Sequence, residues 1–240
     1  MNNILDRIKY GTETIKDPLN NNEFSYGEII TKKNICNNCG KCTGVCAVDA
    51  IKINTTENGE NTISLNNKKC IYCRNCVNIC PKSVLEMTSD YKMAEIELEG
   101  GKLREMIYNT FKRSLVLRVI DTGSCNACMS ELSSLHNTFY DISRFGINVA
   151  ASPRHADGLV VTGTVTTNMK DALEKTYQAM AEPKIVIAIG SCAYDGGIFK
   201  EGPGVYGSLK NILPVDLVIP GCPPSPQAII FGLLKLMDKI

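Results

Sequence analysis

Hydrophobic residues are spread unevenly along the chain. From position 115 onward they gather into short, β-branched runs that end at glycine turns. Leu115-Val-Leu-Arg-Val-Ile120 leads into Asp-Thr-Gly123, Lys184-Ile-Val-Ile-Ala-Ile189 into Gly190, and Val215-Asp-Leu-Val-Ile219 into Pro-Gly221. Near-continuous apolar runs of this length predict strands buried on both faces. Gly158 to Val161 reads the same way. Between the runs, apolar positions recur at helical spacing over Asn126 to His136, Asn168 to Met180 and Ser225 to Lys239, the last with Pro226 in its first turn. Strand alternating with helix predicts an α/β fold built on an open, doubly wound parallel sheet.

Ahead of position 115 the pattern changes. Residues 31–87 are short of core formers, with Asn37, Asn38, Gly40, Thr43, Gly44 and Asn75 filling the middle. Residues 88–114 form a connector in which Leu103, Met106, Ile107 and Phe111 predict a helix over 102–113. Such a stripe is expected to pack on the chain's own body rather than lie as an arm on a partner. Residues 1–30 are an Asn-rich extension expected to wrap a partner or the 31–87 segment. The longest uncharged stretch, Leu217 to Leu234, has 18 residues but holds Pro220, Pro223, Pro224 and Pro226. It reads as strand, turn and helix, not as a membrane span. Met1 to Asn22 lacks the apolar centre of a secretory signal, so a cytoplasmic location is expected.

Charge excludes one broad class. Lys plus Arg number 26 and Asp plus Glu 25, a net charge of +1, which does not suit a general nucleic-acid binder. Cysteine does the opposite, with 12 in 240 residues. In a reducing compartment, clustered thiols point to metal rather than to disulfides.

Eight of them form an internal repeat. Cys36, Cys39, Cys42 and Cys46 make a C-x2-C-x2-C-x3-C run, and Cys70, Cys73, Cys76 and Cys80 repeat it 34 positions later. Pro81 follows the second copy; Ala47 stands in the first. Structural zinc usually takes two separated C-x2-C pairs, which is a different pattern. The run resembles that of bacterial two-cluster ferredoxins. That resemblance implies two [4Fe–4S] clusters with crossed fourth ligands: Cys36, Cys39, Cys42 and Cys80 for one, Cys70, Cys73, Cys76 and Cys46 for the other. From Thr31 to Leu85 there are eight basic residues and three acidic ones. The excess offsets anionic clusters and suits an acidic donor, or else contacts an adjoining subunit.

The remaining four, Cys125, Cys128, Cys192 and Cys222, all follow predicted strands. Ligands of open α/β sheets bind beyond the carboxyl ends of the strands, so four thiolates on three loops, taken as adjacent, can converge on one cluster. The stretch Asp121-Thr-Gly-Ser-Cys-Asn-Ala-Cys128, with Pro153-Arg-His-Ala-Asp157, Gly190-Ser-Cys192 and Pro214-Val-Asp-Leu-Val-Ile-Pro-Gly-Cys-Pro-Pro224, resembles the small subunit of energy-converting, formate hydrogenlyase-type [NiFe] hydrogenases. That family is similar in turn to the cluster-bearing small subunit of complex I. The C-x2-C spacing of Cys125 and Cys128 favours the hydrogenase branch, because the complex I subunit has adjacent cysteines there.

The resemblance implies a flavodoxin-like domain over 115–240 that holds a third [4Fe–4S] cluster. It implies an oxidoreductase subunit that relays electrons and has no catalytic residue of its own. Its partners would be a [NiFe]-type large subunit, membrane subunits of the same complex, and a soluble ferredoxin or formate-derived donor. The protein would then be peripheral on the inner face of the cell membrane. The equivalent subunit of a complex reducing a quinone or a sulfur compound is the alternative. Beyond the ferredoxin runs only Cys125 and Cys128 form a C-x2-C pair, whereas a [NiFe] site needs two, and Gly196 to Gly202 lacks the spacing of a dinucleotide loop. His136 is expected to be a cap or surface residue. His155 and Glu131 stand open between a role beside the cluster and plain packing or solvation.

Overall fold

The computed structural model describes residues 6, 8–12, 14–20, 25–32, 36–55, 61–97 and 113–240. The helix expected over 102–113 falls almost wholly outside them.

The cysteine-rich half opens with β1 (Ile29–Thr31), followed by α1 (Lys41–Gly44), β2 (Ile51–Thr55), β3 (Asn61–Leu65), α2 (Asn75–Ile79) and β4 (Leu85–Met87). β2 and β3 form an antiparallel hairpin, and β1 pairs antiparallel with β4, Ile29 opposite Met87. The half therefore starts just before Thr31, because its first strand must reach back along its last. The repeat in the sequence is a repeat in the backbone. Asn38 and Tyr72, Gly40 and Arg74, and Asp49 and Ser83 all take positive φ at matching positions. α1 and α2 each begin directly after the second member of that series. A small core of Ile29, Ala50, Ile51 and Leu85 closes around three of the thiols.

The second half is the doubly wound sheet. A short strand β5 (Glu95–Ile96) precedes β6 (Leu115–Asp121), α3 (Ala127–Ser134), β7 (Ile147–Val149), β8 (Gly158–Thr162), β9 (Val165–Thr166) and α4 (Thr167–Gln178). Then come β10 (Ile185–Ile189), α5 (Ser191–Asp195), β11 (Val205–Gly207), β12 (Leu217–Ile219) and α6 (Pro226–Leu236). The sheet order is β5-β12-β10-β8-β6-β7, all parallel except β5, with β9 and β11 in a separate antiparallel ribbon. Without β5 this is the flavodoxin-like order.

Alternation along the strands divides the core in two. Leu115, Leu117, Ile185, Ile187, Ile189 and Ile219 face α3 and α6, while Val161, Val186, Ala188 and Val218 face α4 and α5. Helix α6 carries Ser225 as its N-cap, whose hydroxyl accepts from Ala228 N, with Pro226 in the first turn. Part of the extension, around Ile15 and Leu19, lies on this half. Ile15 N donates to Phe139 O at 3.0 Å, Arg144 reaches Ile15 O at 2.6 Å, and Tyr91 donates to Leu19 O. Residues 25–30 run along the cysteine-rich half, one of the two surfaces expected: Ile29 pairs with Met87, Gly27 N donates to Thr88 O at 2.8 Å and Asn67 donates to the Glu28 carboxylate at 3.0 Å.

Two aspartates set strand ends. Asp157 accepts from Val116 N at 2.8 Å, and Asp216 from Val186 N at 2.7 Å. Burial pushes Asp216 up from 3.8 to about 6, only partly offset by the Val186 N–H. A carboxyl whose folded value is raised stabilises fully below its unfolded value and loses that contribution as pH rises through the folded one. Asp216→Asn keeps an acceptor for Val186 N and removes the titration. Relative to the parent, the variant is therefore expected to gain stability as pH rises from 3.8 through about 6, and to hold the gain at neutral pH. Anaerobic urea unfolding across that range checks it; parallel curves would refute it.

Candidate iron–sulfur sites

Three C-x2-C segments share one backbone device. Gly40 in Cys39 to Cys42, Arg74 in Cys73 to Cys76 and Asn126 in Cys125 to Cys128 each adopt the left-handed conformation as N-cap of a helix that starts at the next residue. The turn swings the first thiol away from the helix while the helix carries the second inward. Accordingly, Cys39, Cys73 and Cys125 are exposed and Cys42, Cys76 and Cys128 are buried. This common geometry ties the third pocket to the two ferredoxin runs. In the sequence only the shared spacing announces it.

Cys46, Cys70, Cys73 and Cys76 line one pocket, so the last cysteine of the first run sits with the first three of the second. Cys70 and Cys76 are each held up by burial and by the charges of others in this set, Cys70 to about 12. In the other set, burial raises Cys42, with smaller contributions from Cys36 and Cys39. Cys80 stands at the end of α2. Burial raises its thiol, but donation from backbone N–H groups of Val84, Lys82, Leu85 and Ser83 outweighs that and lowers it. The repeat holds here too: Ala50 N lies 3.2 Å from Cys46 Sγ, and Val84 N 3.4 Å from Cys80 Sγ.

Cys125, Cys128, Cys192 and Cys222 line a single pocket at the carboxyl ends of β6, β10 and β12. Burial, then the neighbouring thiols, push Cys128 to about 12 and Cys192 to about 11, and raise Cys222. Neutral thiols in such a pocket give up protons as metal binds. The loops after β10 and β12 are neighbours, but the Cys125 loop is set apart from them, since β8 lies between β6 and β10. Its loop contributes Gly163 to the lining. A Cβ there would stand 2.5 Å from Ser124 N, so only glycine lets the Cys125 loop lie across it and reach the others.

The donor set suits iron–sulfur chemistry: thiolates gathered round cavities, with backbone N–H groups aimed at sulfur. Among the described residues, no three His, Cys, Asp or Glu side chains close around a single metal ion. His136 and His155 are exposed, and His155 does not line the pocket. Glu131 is half-buried, and desolvation raises its carboxyl.

This fold and these thiols define an iron–sulfur subunit of an oxidoreductase complex. The family described as NADH ubiquinone oxidoreductase, 20 Kd subunit, matches residues 125–236, and a 4Fe–4S dicluster domain matches 35–84. A probable membrane-bound hydrogenase subunit, mbhJ, of Pyrococcus furiosus is 43% identical over 50% of this chain and 72% of its own. Formate hydrogenlyase subunit 7 of Escherichia coli is 41% identical over 58% of this chain and 55% of its own length. An NADH-quinone oxidoreductase subunit of Phocaeicola vulgatus is 45% identical over 50% of this chain and 61% of its own. The chain belongs to the 20 Kd subunit family, with a dicluster domain ahead of it on the same polypeptide. Among the described residues no helix is long and apolar enough to cross a membrane.

Proposed function

We propose that the chain is the electron-relay subunit of a membrane-associated, energy-converting [NiFe] hydrogenase and binds three [4Fe–4S] clusters. The observation that carries this is the convergence of Cys125, Cys128, Cys192 and Cys222 on one pocket in the C-x2-C arrangement of the hydrogenase branch. Identities of 43%, 41% and 45% to hydrogenase, formate hydrogenlyase and quinone-reducing relatives lie too close together to choose the branch by themselves. The ligand sets are Cys36, Cys39, Cys42 and Cys80; Cys46, Cys70, Cys73 and Cys76; and Cys125, Cys128, Cys192 and Cys222. The boundaries 31–87 and 115–240 follow from them, with the first moved outward to include β1.

When bound, such clusters supply reversible one-electron storage. The protein holds the thiolates, excludes water and aims N–H donors at sulfur, which favours the reduced, more negative state. Lys41 and Lys82, beside Cys42 and Cys80, suit an acidic donor such as a soluble ferredoxin. The terminal chemistry lies in a large partner subunit, and membrane attachment comes through partners on the inner face.

The intact complex, purified without oxygen, tests the reading. Iron and acid-labile sulfide for three clusters per chain, nickel in the complex and hydrogen evolution from reduced ferredoxin are expected. An intact complex without nickel would shift the function to the quinone- or sulfur-reducing alternative. A colourless, zinc-containing protein would end the iron–sulfur reading.

A further inference from the structure

The two halves meet along a seam that places one thiol set against another. Ser191, only 1% exposed, stands immediately before Cys192. Its hydroxyl lies 2.6 Å from Cys70 O and 3.2 Å from Gly221 O, so it can donate to a carbonyl in either half. Cys70 opens the second run, and Gly221 precedes Cys222. Tyr26 crosses the same seam. Its hydroxyl donates to Pro223 O, next to Cys222, while its ring lies 5.7 Å from the ring of Tyr72, between Cys70 and Cys73. Charges tie the flank: Lys69 sits 3.0 Å from the buried Asp195, and Lys68 pairs with Glu95, 2.8 Å away, and with Glu97. Cys222 lies within the electrostatic reach of Cys73.

We propose that Ser191 and Tyr26 are positioning residues. They lock the Cys46–Cys70–Cys73–Cys76 site against the Cys125–Cys128–Cys192–Cys222 pocket and so set the separation and the electronic coupling between these two sites. This rests on the relay reading. Tunnelling falls off exponentially with distance and is favoured along bonds over gaps. The Cys70 carbonyl, the Ser191 hydroxyl and the peptide to Cys192 make a short bonded route across an otherwise noncovalent boundary. With clusters bound, each transfer would oxidise the second-run site by one electron and reduce the pocket site by one, the one-electron donor of the relay restoring the first. No bond or proton need change.

Low-temperature magnetic resonance on the anaerobic, cluster-loaded full chain, reduced with dithionite, tests it. Iron and sulfide are counted on the same samples. In the parent, the signal of the pocket site is expected to show spin–spin splitting from its neighbour. Tyr26→Phe and Ser191→Ala at full iron content are expected to weaken that splitting and to slow inter-site transfer after flash reduction several-fold. Tyr26→Phe removes a single oxygen from a residue that binds no metal, so this arm decides if Ser191→Ala loses iron. Parental splitting and rate in Tyr26→Phe, or no splitting in a parent with all three sites filled, would overturn the positioning role while leaving the relay intact. A parent with iron for fewer than three sites would overturn the relay itself.

Discussion

Serine in place of Cys192 is expected to remove the iron of one site of three, leave the two ferredoxin-type sites assembled, and stop electron delivery to the partner subunit. The expectation follows from how the thiols are distributed. Cys192 enters its pocket from the first turn of α5, beside Cys125, Cys128 and Cys222, and no other cysteine lines that cavity. A serine oxygen is a harder and far less acidic donor than a thiolate, and soft ligands select iron–sulfur clusters. The cysteine-rich half has its own core around Ile29, Ile51 and Leu85, which the substitution does not touch. Cys222→Ser should behave alike, but Cys222 also lies near Cys73, so Cys192→Ser is the cleaner variant. Iron and sulfide analysis, magnetic resonance of the remaining sites and turnover of the assembled complex give the answer together. Full iron with unchanged turnover would remove Cys192 from the ligand set.

Much of this arrangement was legible in the sequence because local pattern and tertiary context agree. The strands ending at Ile189 and Ile219 are apolar and buried on both faces, by α3 and α6 on one side and α4 and α5 on the other, while the run ending at Ile120, with Arg118 in it, is fully buried only at Leu115 and Leu117. The 34-residue offset between the cysteine runs survives as matched left-handed residues and matched N–H···S bonds, since the same loop must wrap the same kind of object twice. Other features had no local signature. β5 has two residues and exists only because β12 offers an open edge. The place of β8 between β6 and β10 is a matter of strand order, which no spacing encodes, so the Cys125 loop looked adjacent to the Cys192 loop when it is one strand removed. Ser191 and Tyr26 read as ordinary polar and aromatic residues. What makes them matter is a partner 121 positions away for one and 197 for the other. Contacts of that range are products of packing, and the sequence holds only their end points.

Gly190 allows the sharpest separation between holding the ligands and shaping their pocket. It ends β10 and turns the chain into α5 with φ 88° and ψ 155°, a region open almost only to glycine. Its N–H donates to Ile219 O at 2.9 Å, which fixes the turn against β12. A Cβ at this position would lie 2.7 Å from Cys128 Sγ, a separation that real side chains essentially never show. Gly190→Ala therefore meets two obstacles: backbone strain of about 1–3 kcal/mol, and a methyl group in the space Cys128 Sγ occupies. The sheet is expected to survive, because β10 is buried along its whole length between β8 and β12. The pocket is not, because Cys128, in the first turn of α3, is buried in the core cluster and has little room to retreat. The variant should thus keep all 12 cysteines reactive to a thiol reagent after chelation and unfolding, retain the iron of the ferredoxin half, and lose the third cluster together with electron delivery. Its urea midpoint should fall as well. Full iron content with a parental midpoint would mean that the loop relaxes around the methyl, and that the close approach of Gly190 to Cys128 does not shape the site.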